Sequence, residues 1–318
     1  MQTRVKRSAE YLIICLLICA VFVILTACGG GDGGAEPSAE SGAAAEESGE
    51  KYEVPKFKGA SFHEDEAEGN DEVLVDTSRS SKGFFGLHCT SDKKIKVQVF
   101  KDDDVYTYDV VTGKDQIYPF QLGDGSYTIK VMKNIADTKY SELYATSVDV
   151  SLDNEFEPFL RPNQYAEYTE DSDCVKRAAE LAAQAGDSNE FITNVFDYVC
   201  KSIKYDKKKA ETVQSGYIPD PDETMETGKG ICIDYASLAA SMLRSQGIPT
   251  KIIFGYVGED GELYHAWNMY YTKESGWVTV EFEVNEGEWN RLDLTFSANG
   301  TDSQFIGDGS NYMDVFQF

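Results

Sequence analysis

The period of the hydrophobic pattern changes twice along this chain, and that restricts it to a mixed architecture. From about Val73 to Leu160 apolar and polar residues alternate, as in Lys94-Ile95-Lys96-Val97-Gln98-Val99-Phe100, Tyr106 to Val110 and Ser126 to Val131. Period two is the signature of half-buried strands. Turn residues such as Leu122-Gly123-Asp124-Gly125 separate the runs at roughly ten-residue spacing, which predicts a small all-β, sandwich-like domain over 73–160. From Ser172 the spacing becomes three and four. Cys174, Ala178, Leu181 and Ala182 share one helical face, and Ile192, Val195, Phe196, Val199 and Ile203 share another. Asp187 with Glu190 forms a capping-box pattern between them. Lys207–Lys209 and the Pro- and Asp-rich stretch to Met225 read as a loop. Strand patterns then return at Thr250–Val257, Tyr264–Tyr271, Trp277–Val284 and Trp289–Phe296. Helices followed by an antiparallel sheet predict an α+β domain over 161–318.

The N-terminus sets the compartment expected for this protein. Arg4, Lys6 and Arg7 precede an apolar run from Tyr11 to Leu25, which is short for a membrane span and reads as a secretory signal over 1–27. It ends Leu25-Thr26-Ala27-Cys28, which resembles a bacterial lipobox, so Cys28 is the expected lipidation site. Residues 28–72 are acidic and rich in Gly, Ala, Ser and Glu, and read as a flexible linker in which His63 is a solvated loop residue. The expected location is the outer face of the cell membrane, held by the lipid. The net charge is −26. Such a surface repels phosphates, which excludes nucleic acid as a partner.

Chemistry concentrates at Gly228-Lys229-Gly230-Ile231-Cys232. A Gly-rich turn leads into a helix whose inner face is Tyr235, Leu238, Ala239 and Met242, ended by Gly247 and Pro249. Cys232 therefore falls in the first helical turn, where unpaired N–H groups and the macrodipole favour a thiolate. No CxxC pair occurs, so a zinc ribbon has no support; Cys174 and Cys200 could pair, but both fall in expected helices and two buried thiols are the favoured state. His88 and Cys89 are neighbours on a strand and so face opposite ways. A cysteine nucleophile needs a base. His265 is the only histidine between Asn163 and the C-terminus. Asp293, between Leu292 and Leu294, is the carboxylate expected to orient the imidazole. The Cys232 backbone N–H is the first oxyanion donor expected, with Tyr217 in the preceding loop as the second.

These blocks, Gly230-x-Cys232-x-Asp234-Tyr235-Ala236, Gly247-Ile248-Pro249, Gly255-Tyr256, His265-Ala266-Trp267 and Asp293-x-Thr295, stand in the order of the transglutaminase-like superfamily, which the chain resembles over about 172–300. The resemblance implies a papain-related α+β core and a Cys232–His265–Asp293 triad working through a thioester. For a surface lipoprotein the favoured reaction is hydrolysis of peptide or isopeptide bonds in protein or peptide substrates, cell-wall material included. Cross-linking by a transglutaminase, or a non-catalytic surface binder, are the alternatives. No Asp-x-Asp-x-Asp-Gly loop is present, so neither metal nor cofactor is proposed.

Overall fold

A computed structural model describes residues 51–257, 263–285, 288–293 and 312–318. The signal segment, Cys28 and the first part of the linker lie outside them. Eight strands come first: β1 (Glu68–Asn70), β2 (Val73–Asp76), β3 (Phe84–Cys89), β4 (Ile95–Lys101), β5 (Asp104–Val110), β6 (Gln116–Pro119), β7 (Gly125–Ala136) and β8 (Lys139–Val150). They make two antiparallel four-stranded sheets, ordered β1-β2-β3-β6 and β5-β4-β7-β8. The alternating positions Ile95, Val97 and Val99 are buried, as are Tyr127, Ile129 and Val131. Rings close the space between the sheets: Tyr108 meets Tyr118 edge-on at 4.9 Å, and Phe120 meets Tyr127 at 4.8 Å.

The helical layer follows as α1 (Asp173–Ala182), α2 (Ser188–Ser202), α3 (Lys207–Thr212), α4 (Pro221–Thr227) and α5 (Cys232–Ser245), with the two-residue strands β9 (Lys204–Tyr205) and β10 (Lys229–Gly230) paired in parallel. Asp187 caps α2 as expected, accepting from the Glu190 N–H at 2.8 Å. The stretch expected as a loop holds α3 and α4. Asp220 caps α4, accepting from the Glu223 N–H at 2.9 Å, with Pro221 at the first helical position. A proline there lacks only an N–H that would be unpaired anyway, so this Pro starts a helix instead of breaking one. The third sheet is antiparallel and contains β11 (Thr250–Val257), β12 (Leu263–Thr272), β13 (Gly276–Asn285), β14 (Glu288–Asp293) and β15 (Tyr312–Gln317), in the order β14-β13-β12-β11-β15. The fold is thus mixed α+β with an N-terminal β region.

Apolar packing continues between the β region and the rest. Phe318 sits edge-on to Tyr106 and Tyr108, each at 5.5 Å, and to Phe254 at 5.3 Å. Among the described residues no helix is long and apolar enough to cross a membrane.

Residues 51–72, expected to be linker, are corrected by the structure. Tyr52 stacks on Phe191 at 5.3 Å, and its hydroxyl donates to the Gln246 carbonyl at 2.9 Å. Phe57 meets Tyr168 edge-on. Composition pointed to disorder because acidic residues outnumber these few aromatics, yet each aromatic finds a buried partner elsewhere. His63 is also not a free loop residue. Its backbone N–H and Nδ1 lie 2.9 and 3.0 Å from Oδ2 of Asp76.

Glu157 ties the same segment down. It is buried and accepts from Lys58 at 2.7 Å, from Arg161 at 2.7 and 3.1 Å and from Asn154 at 2.8 Å. Burial pushes its carboxyl up, but the bonds from Lys58 and Arg161 outweigh this and leave the pKa below its ordinary value. An acid whose pKa falls on folding stabilises the fold above its unfolded pKa, and this contribution is lost as pH drops through the folded value. Glu157→Gln is therefore expected to lower stability at neutral pH and to flatten its decline below about pH 4. Urea midpoints across pH 2.5–7 check this, and an unchanged acid slope would count against it.

Candidate active site

The turn before α5 is held from both sides. Gly228 ends α4 with φ of 61°. The Lys204 N–H then donates to the Gly228 carbonyl at 2.9 Å, and the Asp206 N–H to the Gly230 carbonyl at 2.8 Å. A Cβ on Gly230 would come within 2.7 Å of the Asp234 Cβ, so glycine is required there. Ile231 is extended, and Cys232 is the first residue of α5. Cys232 is partly exposed, whereas most of the helix behind it is buried.

Asp234 is fully buried two residues further on and holds this corner together. Its Oδ2 accepts from the Ile231 N–H at 2.8 Å and pairs with Lys209 Nζ at 2.7 Å. Its Oδ1 accepts from the Tyr217 hydroxyl at 2.6 Å, and Lys209 donates to that hydroxyl at 2.6 Å. A carboxylate in the first turn also complements the macrodipole. Burial, then the bond and charge of Asp234, push the Tyr217 phenol well above its ordinary value.

The hydroxyl of Tyr217, the expected second oxyanion donor, is here engaged with Asp234. A phenol has one proton, and here it is given to Asp234. Its role is to position the turn. Sequence reading missed Lys209, whose basic run looked like a solvated loop. The available signal was Asp206, which accepts from the Lys209 N–H at 2.9 Å and starts α3. Tyr217→Phe is expected to slow alkylation of Cys232 several-fold and to cost about 1 kcal/mol, the net worth of such a bond. An iodoacetamide time course with a urea melt checks it, and unchanged alkylation would remove Tyr217 from this role.

The sheet reaches the same end of α5. Asn268 of β12 donates to the Ala236 carbonyl of α5 at 3.0 Å. Tyr264 and Tyr205 both have raised pKa values, first from burial and in smaller part from an interaction with Cys232. His265 follows Tyr264 directly. It is 8% exposed, stands opposite Gly255 in the β11 register, and stacks on Trp267 at 6.5 Å. Strand alternation groups His265 with Trp267, and Ala266 with Asn268 against α5. Asp293 ends β14 opposite Val280, which stands opposite Asn268, so β13 runs between the strands of His265 and Asp293. The Asp293 carboxylate lies outside the described residues.

The remaining described cysteines differ in setting. Cys89 is buried, and this pushes its thiol up to about 12, with Glu72 adding to the shift. Cys174 is buried and pushed higher still, first by burial and then by Asp222. Cys200 is partly buried in α2. His63, Glu66 and Asp76 bring potential metal ligands within 4.8 Å of one another. The Asp76 oxygens already accept from His63 and Ser78, and Glu66 pairs with Arg79 at 2.9 Å. The protein's own donors thus satisfy that cluster.

Residues 175–282 match the Transglutaminase-like superfamily. A UPF0252 protein of Methanocaldococcus jannaschii is 36% identical over 67 residues, 20% of this chain and 19% of that protein. A protein-glutamine gamma-glutamyltransferase of Pseudomonas aeruginosa is 36% identical over 73 residues, 19% of this chain and 11% of that one. The chain thus spans less than a fifth of the length of these curated relatives. Among solved structures, a candidate cysteine protease from Cytophaga hutchinsonii aligns with 74% of this chain and 91% of its own, at 15% identity and a TM-score of 0.37.

Proposed function

Starting from a transglutaminase-like superfamily domain at residues 175–282, we propose that this chain is a cysteine-dependent acyl-transfer enzyme with Cys232 as nucleophile, His265 as general base and acid, and Asp293 as the group that orients the imidazole. The observation that carries the reading is Cys232 itself. It is partly exposed at the start of a buried helix, on a turn fixed by Asp234, while Cys89 and Cys174 are buried with raised thiols.

The proposed chemistry uses these three groups in turn. His265 takes the Cys232 proton, and the thiolate attacks a substrate carbonyl carbon. The Cys232 backbone N–H faces the developing oxyanion. Collapse breaks the C–N bond, and the imidazolium gives its proton to the leaving nitrogen. The thioester is then resolved by an acceptor that loses its proton to His265 and releases the thiolate. We take water as the acceptor, since solvent reaches Cys232 and an amine would have to be held in place to compete. The substrates are peptide or isopeptide bonds outside the cell, with Cys28 carrying the lipid anchor. This extends what the relatives suggest, since they share only part of their length with this chain.

Incubating the purified protein with casein and a labelled primary amine separates the readings. Peptide fragments that disappear in a Cys232 variant support hydrolysis. Incorporated tracer without fragments replaces water by an amine. Neither product, with Cys232 alkylated no faster than Cys200, would make the protein a non-catalytic binder.

A further inference from the structure

A cleft of about 130 Å³ opens where the N-terminal β region meets the C-terminal sheet, lined by six aromatic residues and Thr107. Tyr106 and Tyr165 form one side, and Phe254, Tyr264 and Phe316 the other. An apolar protein cavity of about 150 Å³ admits one benzene, so this cleft suits a single terminal group. The ring planes are turned against one another. Tyr165 lies at 61° to Phe254 and Tyr106 at 67° to Phe316, both pairs 5.3 Å apart, while Phe254 and Tyr264 stack at 24°. These rings pack on one another, so a small group in the cleft lies against an aromatic wall.

Charge selects the group. None of the lining residues is a cation, and after burial carboxylates add to the raised pKa of two lining tyrosines, Asp104 for Tyr106 and Asp109, itself paired with Lys96 at 2.7 Å, for Tyr165. The whole chain carries −26. Ring faces and a negative surrounding potential both attract a cation. The cleft also borders the proposed chemistry: Tyr264 is half exposed and directly precedes His265.

We infer that this aromatic cleft is a recognition subsite for an ammonium side chain of the lysine type, carried by the substrate whose carbonyl Cys232 attacks. The inference rests on the acyl-transfer reading for that last step only. A protonated ammonium has no lone pair to attack a thioester, so the bound cation identifies the substrate and is not the acyl acceptor.

The test uses two small probes and the full chain carrying Cys232→Ala. Nα-acetyl-lysine amide and Nα-acetyl-norleucine amide share a stem and differ in the ammonium. NMR titration is expected to show the lysine probe binding about tenfold tighter at low salt, the difference made by roughly one to two cation–π contacts. The gap should narrow at high salt. Tyr264→Leu and, separately, Phe254→Leu keep the site apolar and should abolish the preference, with thermal melts confirming that each variant folds. Equal or tighter binding of norleucine overturns the inference, as does a lysine preference that survives both variants. A lysine preference in a protein whose Cys232 proves inert upholds the subsite and removes the acyl-transfer reading. Cys232-dependent turnover with no preference does the reverse.

Discussion

Replacing Cys232 by alanine is expected to abolish turnover, by a factor of about 10⁴ or more, while leaving the fold intact. Removing a nucleophile forces the reaction back to direct attack by water, and losses of about 10⁶-fold in kcat are known for such changes. The fold should tolerate the change. Cys232 is partly exposed at the first position of α5, and alanine is the best helix former. Asp234, Tyr217 and Lys209 hold the turn through the Ile231 backbone and so do not need the thiol. Cys89→Ala and Cys174→Ala should show the opposite pattern. Both thiols are buried, so each loss leaves a small cavity at a cost of about 1–2 kcal/mol with activity unchanged. Initial rates and urea midpoints on the three variants decide it. Activity that survives in Cys232→Ala, or vanishes equally in all three, would sink the assignment.

Replacing Arg244 by methionine is expected to give the largest loss of stability, about 3 kcal/mol. Its guanidinium is 1% exposed and lies near the C-terminal end of α5. It donates to the Thr250 carbonyl at 2.7 Å, the Arg161 carbonyl at 3.0 Å and the Phe318 carbonyl at 2.7 Å. These bonds join the helix to β11, to the segment before α1 and to the end of β15. Burial lowers its pKa to about 10, so the group remains charged at neutral pH. Each charge-assisted bond contributes about 1.5–3 kcal/mol, offset in part because methionine removes the cost of burying a cation and refills the stem volume. The Phe318 carbonyl also accepts from the Ile252 N–H at 2.8 Å and so is not left bare. A urea midpoint shift worth under 1 kcal/mol would show that the sheet seats Phe318 without the arginine.

Much of this architecture was legible because its causes are local. Alternation gave β4, β5 and β7, spacing of three and four gave α2 and α5, and the glycines gave the turn before Cys232. The errors share one physical origin, which is partners distant in sequence. Lys209 looked like part of a loop because its partner, Asp234, becomes a buried carboxylate only when α5 packs. Residues 51–72 looked disordered because the partner of Tyr52 is Phe191. The last residues gave no signal, yet β15 pairs antiparallel with β11 at the edge of the sheet.

The sequence by itself determined that this chain has a β region, a helical layer and a returning sheet, and that one cysteine opens a helix behind a glycine turn. Backbone preference and hydrophobic period decide such features within a few residues. Only the tertiary structure decided which groups meet at that turn. Lys209, Tyr217 and Asp234 are separated by up to 25 residues, and a buried carboxylate is stable only where folding supplies its donors. The aromatic cleft is likewise tertiary. Its walls come from β5, β11, β12, the end of the chain at β15 and the segment carrying Tyr165, and no local pattern in any of them records that they face one another.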